Sequence, residues 1–298
     1  MAFSFGSYYE ILPMKKPRLS FVLFGCLLLL DCIFWFQILS VPPSEASLVM
    51  LNVGQGDSSL VIFPSGATVL TDAGPNRLAT RVLDTVVLPT PQYIDLAVVT
   101  HPQLDHYGGF SDVLDHYDIG AFLMTGRVPD DSAPAWQTLV DKIKAKSIPV
   151  ILVGRGDQIT QGESKISILS PDATFRESGE LNDTGIVQYV VMASTSILLT
   201  ADIGEVGEKY LVLHDGITAD ILKVAHHGSR YSSSKEFLEA IQPKLAVIGV
   251  GENRYGHPSP DAMKRLKAIL GDAIFRTDRD GTVRITFGGG KARVLTEK

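Results

Sequence analysis

The stretch Thr100-His101-Pro102-Gln103-Leu104-Asp105-His106-Tyr107-Gly108-Gly109 decides the fold class of this 298-residue chain. It follows a strand predicted at 94–100, and its paired glycines predict the start of a helix over 108–117. Three further segments place Asp, His or Gly directly after an apolar run: 70–74, 199–202 and 224–229. Because such strands end at one edge of their sheets, we expect these side chains to meet there. The pattern predicts a metallohydrolase.

The composition restricts the ligands that a metal can have. Cys26 and Cys32 both fall in the apolar N-terminal segment, so the rest of the chain has no cysteine for zinc or a disulfide. Any metal must therefore be held by His and carboxylate side chains. The net charge is −6, which argues against a protein that binds nucleic acid through an extended basic surface. A local basic strip, or simply a solvated charged helix face, remains open around residues 254–279.

Residues 19–39 are almost wholly apolar and predict a single transmembrane helix over 19–40. Lys15, Lys16 and Arg18 precede it, so the positive-inside rule places residues 1–18 in the cytoplasm. The linker 41–47 and the domain 48–298 are then extracytoplasmic, anchored in the cell membrane. A cleaved signal peptide is the alternative, because Ser44-Glu45-Ala46 resembles a small-x-small site. Either interpretation exports the domain.

The domain over 48–298 has an early part rich in strands and a later part that alternates helices and strands. This mixture favours an α/β (or α+β) arrangement of two packed sheets between helices over a single doubly wound sheet. Strands predicted at 196–200 and 219–225 lead into the last two His/Asp segments.

His101, Asp105 and His106 are predicted metal ligands, since two imidazoles and a carboxylate within six residues can converge on one cation. Their position between a strand end and a helix start favours such convergence. An ordinary surface Asp-His pair is the alternative for Asp105 and His106 alone.

Asp202, His226 and His227 are the other predicted ligands, each at or just beyond a strand end. A carboxylate such as Asp202 can bridge two cations. Neighbouring residues on a strand point to opposite faces, so only one of the two histidines is expected to bind the metal. The other would contact substrate or pack.

Two loops carry weaker signals. In Gly54-Gln55-Gly56-Asp57-Ser58 the glycines would let backbone amides approach an anion. His257, in Tyr255-Gly256-His257-Pro258, is a candidate to donate a proton to a leaving oxygen or to bind phosphate, with a structural role as the alternative. The predicted substrate contacts are Gln55, Asp57, Asn182, Ser229 and Tyr255.

The pattern His101-x-x-x-Asp105-His106 with Gly108-Gly109 resembles the signature of the metallo-β-lactamase superfamily. Four further segments are similar to the narrower pattern of the ComEC/Rec2 competence proteins: 52–58, 226–229, 255–258 and 276–281. The resemblance covers about residues 48–287. It implies an αββα sandwich of two mixed β-sheets with a metal site on one edge.

The resemblance also implies an extracytoplasmic phosphodiesterase, a nuclease acting on DNA during uptake. Members of that family carry a multi-helix channel region as well, so this chain is interpreted as their hydrolase domain on one membrane anchor. A separate competence channel protein is then a candidate partner. By position, Asp105, His106, Asp202 and His226 or His227 would hold one cation. His101 would serve a second cation, with Asp202 as the bridge.

Three departures from the family pattern bear on the metal. Gln103 stands where the superfamily usually has a second His, and no His occurs between His116 and His214 to provide its middle ligand. Asn52 replaces the Asp usual before the Gly-Gln-Gly turn. The expected cofactor is therefore one or two divalent ions, zinc or manganese.

The sequence thus predicts a metal-dependent phosphodiesterase in which Asp105 steers the nucleophile and His257 serves the leaving group. A cell-wall phosphodiesterase, such as a teichoic-acid phosphorylcholine esterase, is the alternative enzyme, which the acidic surface favours. A non-catalytic DNA-binding module is the second alternative, motivated by Gln103. The expected partners are the membrane and DNA or another phosphodiester polymer.

Overall fold

The computed structural model describes residues 19–39, 45–86, 92–129, 133–177, 180–192, 194–288 and 291–298. The chain divides into two compact units, Met1–Pro43 and Ser44–Lys298. The predicted cytoplasmic segment 1–18 and the first part of the predicted linker, 41–44, lie outside the described residues.

The first unit contains one described helix, α1 (Leu19–Leu39), over the range where the sequence predicts an apolar helix. Its described apolar side chains are exposed, for example Phe21 and Leu27. Among the described residues, no helix meets both the length and the apolarity that crossing a bilayer requires. The transmembrane span predicted over 19–40 is therefore not shown by the structure and stays a prediction.

The second unit begins with a strand at Ala46, inside the range predicted as linker. Its described strands are β1 (Ala46–Met50), β2 (Ser59–Ile62), β3 (Thr68–Thr71), β4 (Tyr93–Val98), β5 (Asp118–Met124), β6 (Val150–Leu152), β7 (Gln158–Gln161), β8 (Ser164–Ser170), β9 (Val187–Met192), β10 (Thr195–Leu199), β11 (Ile221–Lys223), β12 (Leu245–Ile248), β13 (Ile274–Arg276), β14 (Val283–Gly288) and β15 (Lys291–Thr296).

Nine described helices and two short 3₁₀ turns connect these strands. The helices are α2 (Leu78–Val86), α3 (Leu104–Tyr107), α4 (Phe110–His116), α5 (Pro134–Ala145), α6 (Ala173–Arg176), α7 (Glu205–Asp215), α8 (Lys235–Ile241), α9 (Pro260–Leu270) and α10 (Thr277–Asp280), and the 3₁₀ turns are Leu181–Thr184 and Ala225–Gly228. Serine side chains cap two of the helices: Ser234 accepts a hydrogen bond from the amide of Phe237, and Ser259 from that of Ala262.

The described strands form two mixed sheets. The first has the order β15-β14-β1-β2-β3-β4-β5-β6, antiparallel as far as β3 and parallel from β3 to β6. The second has the order β13-β12-β11-β10-β9-β8-β7, parallel from β13 to β10 and antiparallel from there on. Each half of the domain therefore combines antiparallel hairpins with parallel crossover strands.

Three apolar cores separate four layers. Leu48 and Met50 of β1 point into the core between the two sheets, while Val49 between them packs with residues of α2, α4 and α5. In the second sheet Ile197 faces the same central core, and Leu198 packs with residues of α7, α8 and α9. This alternation is the period of two expected of strands that are covered on both faces. The predicted fold of two mixed sheets between helices is confirmed.

The helix predicted over 108–117 is α4, which begins at Phe110 with Gly109 as its N-cap, and the short helix α3 precedes the glycines and ends with Gly108 as its C-cap. Close packing explains their presence. A Cβ on Gly108 would lie 2.5 Å from the carbonyl oxygen of Pro75, and one on Gly109 would collide with that of Ala73. The glycines therefore let the loop after β3 pack directly on the segment that carries the His101 motif.

Candidate metal centre

The motifs that follow β1, β4, β10 and β11 converge at one edge of the two sheets. Donor atoms of Asp57, His106, Asp202 and His227 all lie within 4.8 Å of one another, and all four residues are buried. The carboxylate of Asp105 joins them, with Oδ2 3.4 Å from Nε2 of His227. The sequence-predicted ligands are thus brought together although they lie as far as 122 residues apart.

A buried carboxylate orients the imidazole of His106. Its Nδ1 donates to Oδ2 of Asp72 at 2.8 Å, and its Nε2 faces Oδ2 of Asp202 at 3.3 Å. Asp72 is itself fixed by the amide and hydroxyl of Thr100, at 2.9 and 2.7 Å. A carboxylate behind Nδ1 leaves Nε2 free as a ligand atom, which is the arrangement typical of metal-binding histidines.

His227 is oriented in a similar way. Its Nδ1 donates to the carbonyl oxygen of Gly249 at 2.8 Å. Its Nε2 then faces Oδ2 of Asp202 and Oδ2 of Asp105, both at 3.4 Å. The backbone of His227 has φ of +52°, a left-handed conformation that turns the side chain inward from the end of β11.

These donors fit a divalent cation. Nε2 of His106 and of His227 are buried and have no hydrogen-bond partner among the described residues. Ligands held 2.0–2.2 Å from a tetrahedral ion lie about 3.4 Å from each other. The separations of 3.3 and 3.4 Å between these nitrogens and Asp202 match that value. Imidazole nitrogens with carboxylate oxygens are donors that suit zinc or manganese.

Asp57 and Asp105 lie on different sides of this cluster. Asp57 pairs with the buried ammonium of Lys223, and its Oδ1 lies 3.4 Å from Nδ1 of His227. It therefore lies on the Nδ1 side of this imidazole, away from the nitrogen Nε2 that faces Asp202. Asp105 faces Nε2, and its side chain is 32% exposed whereas Asp202 is 1% exposed. The cluster therefore opens to solvent on the side of Asp105.

Lys223 is a residue of the site that the sequence reasoning missed. Its Nζ also donates to the carbonyl oxygen of Ala201 at 2.8 Å and lies 3.7 Å from Oδ1 of Asp202. Burial alone would lower the pKa of this ammonium, but the charges of Asp57 and Asp202 raise it above its ordinary value. Lys223 therefore neutralises part of the carboxylate charge as a permanent cation.

The cluster perturbs the pKa values of its members strongly. For His227, burial lowers the pKa, but the charges of Asp202 and Asp57 outweigh it and raise the pKa to about 10. For Asp105, burial raises the pKa, but the neighbouring imidazoles of His227 and His106 lower it to about 2. Despite burial, Asp202 and Asp72 also raise the pKa of His106 well above its usual range. In the metal-free centre the imidazoles of His106 and His227 are therefore protonated on both nitrogens and positively charged.

His101 is buried beside the cluster, with its ring centroid 4.1 Å from that of His106. Its Nε2 lies 3.3 Å from Oε1 of Gln103, and its Nδ1 lies 3.0 Å from the hydroxyl of Thr100. Burial and the charge of His106 lower the pKa of His101 to about 4, so it is neutral. The structure thus pairs His101 with Gln103, outside the group formed around Asp202.

Several predicted substrate contacts are buried or engaged in the loops. Asp57 is 3% exposed and Ser229 is 2% exposed, so their side chains support the site rather than face solvent. Gln55 accepts a hydrogen bond from the amide of Gly251 at 3.3 Å. Oδ1 of Asn182 is buried without a partner among the described residues.

His226 and His257 form the outer part of the site. His226 turns away from the cluster, and its ring centroid lies 5.5 Å from that of His257 and 6.3 Å from that of His227. The ring of Tyr255 lies 5.8 Å from His257 and is exposed. Burial and the charges of His226 and His227 lower the pKa of His257, so its imidazole is neutral at neutral pH.

Binding of zinc or manganese is expected to release protons and to strengthen as the pH rises. A free histidine titrates near pH 6.5, but His227 in the metal-free chain keeps its proton up to about pH 10, and the ion must displace it. Titration calorimetry in buffers of different ionisation enthalpy should show about one to two protons released per ion near neutral pH. A metal affinity that stays the same between about pH 6.5 and about pH 10 would contradict the assignment.

The four-layer sandwich with His and Asp donors at its strand ends defines a class of protein, the α/β proteins with a candidate metal site at one edge of two packed sheets. Residues 51–252 match the metallo-beta-lactamase superfamily, and the chain belongs to this superfamily. It is a hydrolase of that superfamily related to competence proteins, as the sequence motifs predict.

The relatives are similar over most of this chain. ComE operon protein 3 of Bacillus subtilis (strain 168) is 28% identical over 282 residues, which cover 88% of this chain and 35% of the relative. Competence protein ComA of Neisseria gonorrhoeae is 28% identical over 259 residues, covering 84% and 34% respectively. The chain thus spans about a third of the length of these relatives.

A solved structure supports the fold. The metallo-beta-lactamase fold protein YhfI from Bacillus subtilis superposes with a TM-score of 0.53 at 12% identity, over 81% of this chain and 100% of that one. At this identity the likeness concerns the fold alone.

Proposed function

We propose that this chain is a metal-dependent phosphodiesterase that acts on DNA. The observation that carries the proposal is the pair of buried, unpartnered Nε2 atoms of His106 and His227, which converge with Asp202 and open to solvent through Asp105. The named competence proteins among the relatives support DNA as the polymer.

His106, His227, Asp202 and Asp105 would hold the cation, zinc or manganese. When bound, a divalent cation polarises a phosphoryl oxygen and makes water a stronger nucleophile at neutral pH. Asp105, ionised because of its low pKa, is the exposed carboxylate and would orient the attacking water. Asp72 and the carbonyl group of Gly249 hold the two imidazoles in place.

His257 would act on the leaving group as a neutral imidazole. Because its pKa is lowered, the imidazole of His257 is not a reservoir of an extra proton at neutral pH. We therefore expect it to form a hydrogen bond with the phosphoryl or leaving oxygen rather than to transfer a proton completely. Its Nδ1 is buried and has no hydrogen-bond partner among the described residues, so no bond at that nitrogen fixes the tautomer of the ring.

We also propose that the chain is attached to the cell membrane through the segment around α1, with the hydrolase domain outside the cytoplasm. The support is the apolar run 19–39 preceded by Lys15, Lys16 and Arg18. A separate competence channel protein would be its partner there. Recovery of the chain in the soluble fraction after cell lysis would contradict this placement.

Hydrolysis of single-stranded DNA and of bis(p-nitrophenyl) phosphate by the full chain tests the function. With zinc or manganese we expect turnover that Asp105→Ala and Asp202→Ala each reduce by about 10²–10³-fold or more, as loss of a transition-state stabiliser does. Asp118→Ala is the matched control. Its carboxylate is 85% exposed, and it is the first residue of β5, at the end of that strand away from the metal centre.

Turnover that neither Asp105→Ala nor Asp202→Ala affects would overturn the proposal. A choline phosphodiester offered in competition distinguishes the cell-wall alternative, since an enzyme of that class would prefer it to DNA.

A further inference from the structure

Two loops beside the metal centre each carry an Arg-Tyr pair at the surface. We call residues 229–234 and 251–257 the rim loops. Tyr231 and Tyr255 are 68% and 62% exposed, which is unusual for large aromatic side chains. The guanidinium of Arg230 lies 6.0 Å from the ring centroid of Tyr231, and that of Arg254 lies 5.9 Å from that of Tyr255. Each loop therefore presents an aromatic face next to a positive charge.

Both rim loops adjoin the histidines of the site. The first directly follows the turn Ala225–Gly228, and the second contains His257. Between them, the amide of Ser259 donates to the carbonyl oxygen of Gly228 at 2.8 Å. His226, just before the first rim loop, and His257 of the second have ring centroids 5.5 Å apart. The two Arg-Tyr pairs thus lie at the mouth of one site.

A single asparagine holds the second rim loop. Nδ2 of Asn253 donates to the carbonyl oxygens of Gly251 and His257, at 2.8 and 2.7 Å. Its Oδ1 accepts from the amides of Tyr255 and His257, at 3.1 and 3.0 Å. All four hydrogen-bonding positions of the side chain are used on the loop's own backbone. Tyr255 is therefore exposed on a loop of defined shape.

The first rim loop is held by two charged side chains from neighbouring helices. Arg265 of α9 donates to the carbonyl oxygens of Arg230, Ser232 and Ser233, at 2.9, 2.8 and 2.7 Å. The fully buried carboxylate of Glu208 on α7 accepts from the amide of Ser233. Tyr231, like Tyr255, is presented to solvent by a loop whose backbone is fixed, so a ligand that packs on either ring does not have to order the loop.

We propose that the rim loops bind single-stranded nucleic acid, with a base stacked on Tyr231, another on Tyr255, and neighbouring phosphates against Arg230 and Arg254. Exposed aromatic faces beside cations are how proteins bind unpaired bases without reading their sequence. In a duplex the base faces are covered by stacking. This inference rests on the proposed function and names its substrate class, a polynucleotide with accessible bases.

Fluorescence anisotropy of the full metal-loaded chain with two phosphorothioate 12-mers, oligo(dT) and an abasic strand of equal charge, tests the inference. Both backbones resist hydrolysis, so binding is measured apart from turnover. Stacking contributes about 1–3 kcal/mol per base, so we expect the loss of two stacked bases in Tyr231→Ala with Tyr255→Ala to weaken oligo(dT) binding by about 30-fold or more. The abasic strand should bind the native chain and the double alanine variant with affinities that agree within about twofold.

Further variants separate stacking from charge. Phe at both positions keeps the ring and should restore oligo(dT) binding, while Tyr93→Ala removes an exposed tyrosine at the far end of β4 as a matched control. Arg230→Ala with Arg254→Ala should weaken both strands alike and reduce the salt slope by about 1.4, since each phosphate contact on a single strand contributes about 0.7.

Equal affinity of the native chain for the two strands, or no change with alanine at 231 and 255, would overturn the inference. Hydrolysis of bis(p-nitrophenyl) phosphate is measured on the same proteins. Turnover without base preference rejects the rim-loop proposal and leaves the phosphodiesterase, whereas base-dependent binding without any turnover rejects the phosphodiesterase alone.

Discussion

Replacing His227 by alanine is expected to lower the affinity for zinc or manganese by more than about 100-fold. Loss of a residue that merely orients a ligand typically costs 10–100-fold, and His227 supplies a ligand atom itself. Its Nε2 faces both Asp202 and Asp105, each at 3.4 Å. Equilibrium dialysis with metal analysis by mass spectrometry measures the dissociation constant directly.

His226→Ala is the matched control, because it removes the neighbouring imidazole from the same turn. His226 is directed toward His257, with ring centroids 5.5 Å apart, so we expect its replacement to change the metal affinity by less than about threefold. The assignment is wrong if His226→Ala abolishes metal binding and His227→Ala does not.

Lys223→Met is expected to destabilise the metal-free chain by about 3–5 kcal/mol, the usual cost of removing one partner from a buried ion pair. The change leaves the carboxylate of Asp57 buried opposite an apolar side chain, with both residues only 4% exposed. Adding Asp57→Asn should recover part of the loss, because the second change removes the carboxylate charge that Lys223 no longer neutralises. Urea unfolding of the single and double variants gives these free energies.

Lys244→Met provides the comparison for this prediction. Lys244 pairs with Asp220 at 2.7 Å, but its side chain is 80% exposed, so solvent screens the pair and its loss should cost no more than about 1 kcal/mol. Equal losses of stability for Lys223→Met and Lys244→Met would contradict the prediction, because the buried pair would then contribute no more to stability than the exposed one.

The strands that carry the site were predictable because their apolar runs are sharp. The sequence predicts strands at 94–100 and 196–200, and the structure has Tyr93–Val98 and Thr195–Leu199. The central strands are covered on both faces, so they are continuously apolar and end where polar residues begin. That is why Asp202 and the His101 motif could be located at strand ends from the sequence.

The choice between His226 and His227 was not predictable from strand alternation. Strand β11 ends at Lys223, and both histidines lie in a turn with φ of +50° and +52°. Their directions therefore depend on left-handed backbone angles and on the carbonyl group of Gly249, 22 residues away. Alternation holds only inside a strand.

The role of Lys223 also depends on distant residues. Its partner Asp57 is 166 residues earlier in the chain, and no local pattern joins the two. One signal was present, since a lysine between Leu222 and Val224 in a buried strand must find a partner for its charge. A buried charge indicates that a partner exists, but it does not identify that partner.

In this centre His106, His227 and Asp202 are expected to bind one divalent cation together. Anomalous diffraction from crystals of the full chain grown with zinc or manganese, recorded on both sides of the metal's absorption edge, tests it most directly. We predict a peak about 2.0–2.2 Å from Nε2 of both histidines and from a carboxylate oxygen of Asp202. A metal-saturated crystal with its anomalous peaks elsewhere, and none within coordination distance of these three side chains, would contradict the account.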